Sequence, residues 1–182
     1  MRRLIHLKDL DVERLGITAT RGRGFAEAAA VSFERVGHKS GVQMQVVGDW
    51  QAVVHVEWEP LGENATRTWA DFYEAVEHGA YGLAALLVEA LADLTVVERS
   101  VKDTGFDYWV DHANRSDQQR LRRSAPSLRQ RLEVSGILRG KARLSSRVAM
   151  KKRQTDRSKG LMIPAIIIVV EYGTPQAHMV RR

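Results

Sequence analysis

Apolar positions recur along this chain at two periods. From Phe25 to Val36, FAEAAAVSFERV sets Phe25, Ala29, Phe33 and Val36 at helical spacing, and Gly37 follows as a stop. In GVQMQVVGDWQAVVHVEW the period falls to two. Val42, Met44 and Val46 alternate with polar or opposite-facing residues, Gly48 and Asp49 make a turn, and Val54, Val56 and Trp58 alternate again, which predicts a β-hairpin. Residues 1–24 are polar and glycine-broken and end in the basic stretch TRGRG, which reads as flexible. A long helix is predicted over about residues 68–92, with Thr68 and Asp71 resembling a capping box and Trp69, Phe72, Val76, Ala80, Leu83 and Leu87 forming an apolar stripe. Gly79 and Gly82 interrupt it. Each weakens an isolated helix by about 1 kcal/mol relative to Ala, so a compensating close approach to the sheet or to a ligand is expected. By helical phase Glu77 falls at the border of the stripe, while Glu74 points further outward.

Three strand-like pieces follow: TVVERSV with Glu98, GFDYWV with Asp107, and RLEVSGI with Glu133. KARLSSRVAMKKRQ, residues 141–154, fits a basic helix with Leu144, Val148 and Met150 toward the core and Arg143, Arg147, Lys151 and Lys152 around the rim. PAIIIVVEY is a near-continuous apolar run suited to a strand covered on both faces. After the GTP turn, AHMV reads as a short edge strand. The pattern predicts one α/β domain over residues 1–182 with a mixed central sheet flanked by helices. Residues 1–66 supply a helix and β-hairpin elaboration, and residues 67–182 the core.

Composition narrows the function classes. The chain has 182 residues and no cysteine, which excludes thiol catalysis, thiolate metal sites and disulfides and favours a cytoplasmic location. Lys8 and Asp9 interrupt the first apolar run, so no signal-peptide core forms, and AIIIVV is far shorter than the roughly 20 residues that span a bilayer. The net charge of +6 is unevenly spread. Residues 1–90 carry 9 Lys+Arg against 13 Asp+Glu, a net of −4, and residues 91–182 carry 19 against 9, a net of +10. A basic second half attracts polyanions, nucleic acid first, then an anionic membrane surface or an acidic protein.

Asp107 and Glu133 are the carboxylates with the most chemical interest. Alternation puts Asp107 and Trp109 on one face of their strand and Glu133, Ser135 and Ile137 on one face of theirs. If the faces coincide, the two carboxylates converge. A close pair in a low-dielectric setting repels unless a proton or cation lies between them, and hard oxygen ligands select Mg²⁺ or Mn²⁺. The other reading is that both pair with nearby arginines and serve only structure. Between the two strands, RLRRSAPSLRQR places Arg120, Arg122, Arg123, Arg129 and Arg131, and MKKRQTDRSKG adds Lys152, so two cationic arms are expected beside one face, suited to nucleic-acid phosphates. Other motifs are weaker. Asp107, Asp111 and His112 suggest a local metal cluster, but DHANRSD equally suits a polar turn. His78 could orient a ligand or simply be hydrogen-bonded, and the six histidines show no HxH or HExxH spacing. There is no Walker loop, no GxSxG and no dinucleotide fingerprint.

From residue 68 onward the order of helix, three strands, helix and strand, with Asp107 in the second strand and Glu133 in the third, resembles the PD-(D/E)XK superfamily, the restriction-endonuclease-like nucleases. The resemblance covers about residues 67–172. It implies that Asp107 and Glu133 bind one or two Mg²⁺ or Mn²⁺ ions, that Glu77 is the helix glutamate, and that a lysine two places after Glu133 activates water. That place holds Ser135. A working site would need its cation from elsewhere, and Lys151 and Lys152, or Lys141 at the start of the next helix, are the candidates. The strings HGAYG and TGFDYW are also similar to those of a group of bacterial proteins with no established activity. The expectation is a nucleic-acid-binding nuclease-like protein. The alternatives are a non-catalytic subunit of a bacterial assembly, for instance one in defence against foreign DNA, whose degenerate cleft holds a partner protein, and a small-molecule hydrolase using the same carboxylates.

Overall fold

A computed structural model describes residues 2–113, 129–140, 144–156 and 163–182. Its strands are β1 (Arg2–His6), β2 (Val42–Gly48), β3 (Ala52–Glu57), β4 (Leu94–Arg99), β5 (Tyr108–His112), β6 (Gln130–Ile137), β7 (Ala165–Glu171) and β8 (Gln176–Arg181). They form one mixed sheet in the order β1-β3-β2-β8-β7-β6-β5-β4. The helices are α1 (Ala19–Arg35), a single turn α2 (Ala65–Thr68), α3 (Phe72–Ala92) and α4 (Leu144–Asp156).

Two cores lie on opposite faces of the sheet. On one, α1 and α3 bury Phe25, Phe33, Ala80, Leu83 and Leu87 against Met44, Val54, Leu132, Ile166, Ile168 and Val170. On the other, α4 closes a smaller cluster of Leu144 and Val148 with Ile137, Ile167, Val169 and Val180. β7 is therefore buried at every position, its alternate residues entering opposite cores, as its continuous apolar run predicts.

The hairpin of β2 and β3 pairs antiparallel as expected. Four expectations need correction. TRGRG is not a flexible lead-in: it forms the first turns of α1, with the Thr18 hydroxyl accepting from the Arg21 amide at 3.3 Å and Gly22 buried against the Leu10 carbonyl. Residues 2–6 form a strand, parallel to β3. Thr68 lies in the separate turn α2, and Asp71 itself caps α3, its Oδ1 accepting from the Tyr73 and Glu74 amides at 2.9 and 3.4 Å. Finally, β8 is an interior strand between β7 and β2, and this pairing joins residues 42–57 to the second half in one sheet.

The glycines of α3 are explained by a close approach, made mainly to α1. A Cβ on Gly79 would lie 2.7 Å from Ala29 Cα and 2.6 Å from the Tyr172 hydroxyl, and one on Gly82 would lie 2.9 Å from Phe25 Cβ. α3 also rests on β6, where a Cβ on Gly136 would lie 2.4 Å from the Val76 carbonyl oxygen. That contact lets the helix sit low enough for Glu77 and Tyr81 to reach the sheet. Among the described residues α3 is the helix long and apolar enough to cross a bilayer, and 67% of its apolar stretch is buried, as in a core helix.

Candidate functional site

The site forms where β5 parts from β6. Their pairing runs from Val110 opposite Gln130 to Tyr108 opposite Leu132, whereas β6 continues against β7 as far as Ile137. Asp107 stands at the fork, just before β5. Its amide donates to the Leu132 carbonyl at 2.9 Å, and its Oδ2 accepts from the Val134 amide at 2.8 Å. The carboxylate thus replaces the next rung of the ladder and is fixed by backbone.

Glu133 is next to Val134 on β6, and its register opposite Ile167 turns it toward α4. It is 1% exposed. The Lys151 ammonium, from α4, donates to Oε1. Oε2 is buried and no described group donates to it. Burial first, and the Asp107 carboxylate second, push the Glu133 pKa up to about 7 against the opposing pull of Lys151. Two carboxylates cannot hydrogen-bond to each other unless a proton lies between them, so this pair is completed by a proton or a cation.

A second set of groups reaches Asp107 from α3 and β4. The Tyr81 hydroxyl is 2.6 Å from Glu77 Oε1 and 3.2 Å from Asp107 Oδ1. With one proton, it can donate to only one of them at a time. Burial, then Asp107 and Glu77, hold the Tyr81 pKa well above the usual phenol range, so it stays protonated. Arg99, the last residue of β4, lies with Nη2 3.5 Å from Asp107 Oδ1 and 3.4 Å from the Tyr81 hydroxyl. Burial lowers its pKa, but Tyr81, Tyr108 and Asp107 outweigh that and the net direction is up.

These groups border an open cleft of about 910 Å³, lined by Glu77, Tyr81, Arg99, Asp107 and Glu133, by Val101, Lys102 and Phe106 from the β4–β5 connection, and by Met150, Arg153 and Gln154 of α4. Its charged lining sets Glu77, Asp103, Asp107 and Glu133 against Arg99, Lys102 and Arg153, with Glu133 the most deeply buried. Asp107 and Glu133 are the residues that could hold a hard cation. No group of three His, Asp or Glu forms a ready-made metal cluster among the described residues.

The structure therefore brings Asp107, Glu133 and Glu77 to one cleft, with Lys151 paired to Glu133. The cationic arms fare differently. Arg131 is only 4% exposed, and its guanidinium donates to the carbonyls of Ile163 and Thr155, so it is a buried tie and not a surface phosphate contact. Arg129 donates to Glu98 at 2.9 Å. Lys152 is half-buried on the side of α4 nearest His178. Arg120, Arg122, Arg123, Lys141 and Arg143 lie outside the described residues. Asp111 and His112 belong to β5 and not to a turn, with Asp111 fully buried and accepting from the His112 amide. His78 packs edge-on against Phe25 and Trp69, and burial lowers its pKa.

Tyr81 and Arg99 are the site residues that the sequence reading missed. Tyr81 stands one helical turn after Glu77, a spacing that shares a face. Arg99 carries no such signal, because only the sheet order sets the end of β4 beside Asp107. No family model, curated protein or solved structure matches this chain.

Proposed function

We propose that this protein binds nucleic acid and cleaves phosphodiester bonds with Mg²⁺ or Mn²⁺, in a divergent restriction-endonuclease-like core formed by α3, β4, β5, β6, α4 and β7. The order of these elements, with β4, β5 and β6 antiparallel and β6 and β7 parallel, supports the resemblance. The observation that carries the reading is the Glu133 carboxylate, buried at the cleft floor with one oxygen on Lys151 and the other without a donor among the described residues. A buried acid with an open oxygen beside a second carboxylate is poorly explained as a structural ion pair, which would satisfy both.

In this reading Glu133 and Asp107 would hold the cation. A bound Mg²⁺ or Mn²⁺ supplies Lewis acidity and lowers the pKa of water, making hydroxide available near neutral pH. The chain does the rest. The Val134 amide fixes Asp107 so that its remaining oxygen faces the cleft. Lys151 brings a positive charge to Glu133 from the helix, which is the charge Ser135 cannot carry, and the reaction requires that charge at a place in space. Glu77, held by Tyr81, adds an acceptor at the edge of the site for a water molecule. Lys102 and Arg153 contact the phosphates that flank the scissile one, with little sequence preference. A cysteine-free chain suits a reducing, cytoplasmic setting.

The test is cleavage of single-stranded DNA, duplex DNA and RNA with Mg²⁺ or Mn²⁺, by the wild type and by Glu133→Gln, Asp107→Asn and Lys151→Met. Each variant should lose at least about 100-fold in rate while still binding nucleic acid. A wild type that cuts none of these and binds no metal, or Glu133→Gln at full activity, would defeat the reading. The first of those results would leave the partner-holding subunit as the better account.

A further inference from the structure

Arg99 is better placed than its one ion pair requires. Its Cζ lies 4.6 Å from the centre of the Tyr81 ring and 4.5 Å from that of Tyr108, two rings that meet edge to face with centres 5.6 Å apart, so the guanidinium packs in the angle they form. The rings attract the charge and restrict the head group without using its N–H donors. Nη2 lies 3.5 Å from Asp107 Oδ1 and 3.4 Å from the Tyr81 hydroxyl, both long contacts. The side chain, 42% exposed, lines the cleft. A planar fork packed on two rings at the side of the open cleft, held only by long contacts, is suited to the oxygens of a phosphate.

We propose that Arg99 alternates between two partners, standing in as the counter-ion of Asp107 in the free protein and binding the substrate phosphate when a divalent cation takes Asp107. This rests on the metal-dependent reading above and adds the regulation of its site. Arg99 and the cation are drawn to the same carboxylate and oppose each other there. A phosphate that draws the guanidinium away removes that opposition, so phosphodiester and metal each tighten the binding of the other. Without substrate the site holds metal weakly.

The experiment measures Mn²⁺ affinity by electron paramagnetic resonance, with and without a phosphorothioate dinucleotide, for wild type, Arg99→Gln, Arg99→Lys and Asp107→Asn. Removing a charge so near a ligand oxygen should tighten Mn²⁺ binding to Arg99→Gln by roughly fivefold or more in the absence of dinucleotide. The dinucleotide should tighten Mn²⁺ binding to the wild type at least about threefold more than it does to Arg99→Gln. Arg99→Lys keeps the charge and the stem against the rings, which guards against a folding defect, and should show wild-type Mn²⁺ affinity with the coupling reduced. Equal or weaker Mn²⁺ binding by a folded Arg99→Gln, or no coupling in the wild type, overturns the exchange while leaving the metal site standing. Wild type and Asp107→Asn that both fail to bind Mn²⁺ overturn the metal-dependent reading, and the exchange with it.

Discussion

Replacing Glu133 with glutamine isolates the energetic signature of the cleft floor. The folded-state pKa, about 7 against an ordinary 4.5, means that the native protein keeps a proton that the unfolded chain gives up. The resulting stability is fully present below the unfolded value, about pH 4.5, and is lost as pH rises through about 7. At about 1.4 kcal/mol per pKa unit the full effect is about 3 kcal/mol, most of it falling between pH 5 and pH 8. Solvent screening discounts it little, because the side chain is 1% exposed, and the pairing with Lys151 already opposes it. A glutamine amide in the same place does not titrate. The stability of Glu133→Gln relative to wild type, from urea denaturation in EDTA, should therefore rise by about 2–3 kcal/mol between pH 5 and pH 8. A difference that stays flat with pH, or falls, would refute the argument that burial and Asp107 dominate the Glu133 environment. Saturating Mn²⁺ should add more stability to the wild type at pH 8 than at pH 6, because a cation at the pair favours the ionised carboxyl.

Three further outcomes follow from named contacts. Lys151→Met should be nearly inactive, and adding Ser135→Lys, which puts a cation on the same face of β6 as Glu133, should recover at least about tenfold of the lost cleavage rate; no recovery would mean that the cation is not interchangeable in space. Gly136→Ala forces a methyl group against the Val76 carbonyl and should destabilise the fold by about 2 kcal/mol or more, read as a lowered urea midpoint. Reversing Lys102 and Arg153 to glutamate should weaken oligonucleotide binding and flatten its dependence on salt, measured by fluorescence anisotropy, whereas unchanged binding would remove the cleft walls from the interface.

Legibility of the fold followed the range of the interactions that decide each element. The β2–β3 hairpin and β7 were readable because alternation and a continuous apolar run are local patterns that directly report burial. β1 was not, since Arg2 and Arg3 mask a strand whose pairing with β3 lies some fifty residues away. The interior place of β8 depends on β2, distant in sequence, so a short AHMV piece could only look like an edge. The same holds at the site. Asp107 and Glu133 stood out as acids among apolar residues, and Lys151 as a basic residue on the following helix. Arg131 looked like its basic neighbours, but a buried position two residues before Glu133 on β6 makes it a tie between segments. Arg99 and Tyr81 acquire their role only when the fork between β5 and β6 brings α3 and the end of β4 to the same carboxylate.

The central claim is that Asp107 and Glu133 are completed by a divalent cation. It is tested most directly by soaking crystals in Mn²⁺ at pH 8, above the Glu133 pKa of about 7, and measuring the anomalous difference density. The account predicts one strong peak between Glu133 Oε2 and Asp107, with Lys151 still at Glu133 and Arg99 moved off Asp107. Featureless density there at saturating Mn²⁺, with Arg99 still on Asp107, would contradict it.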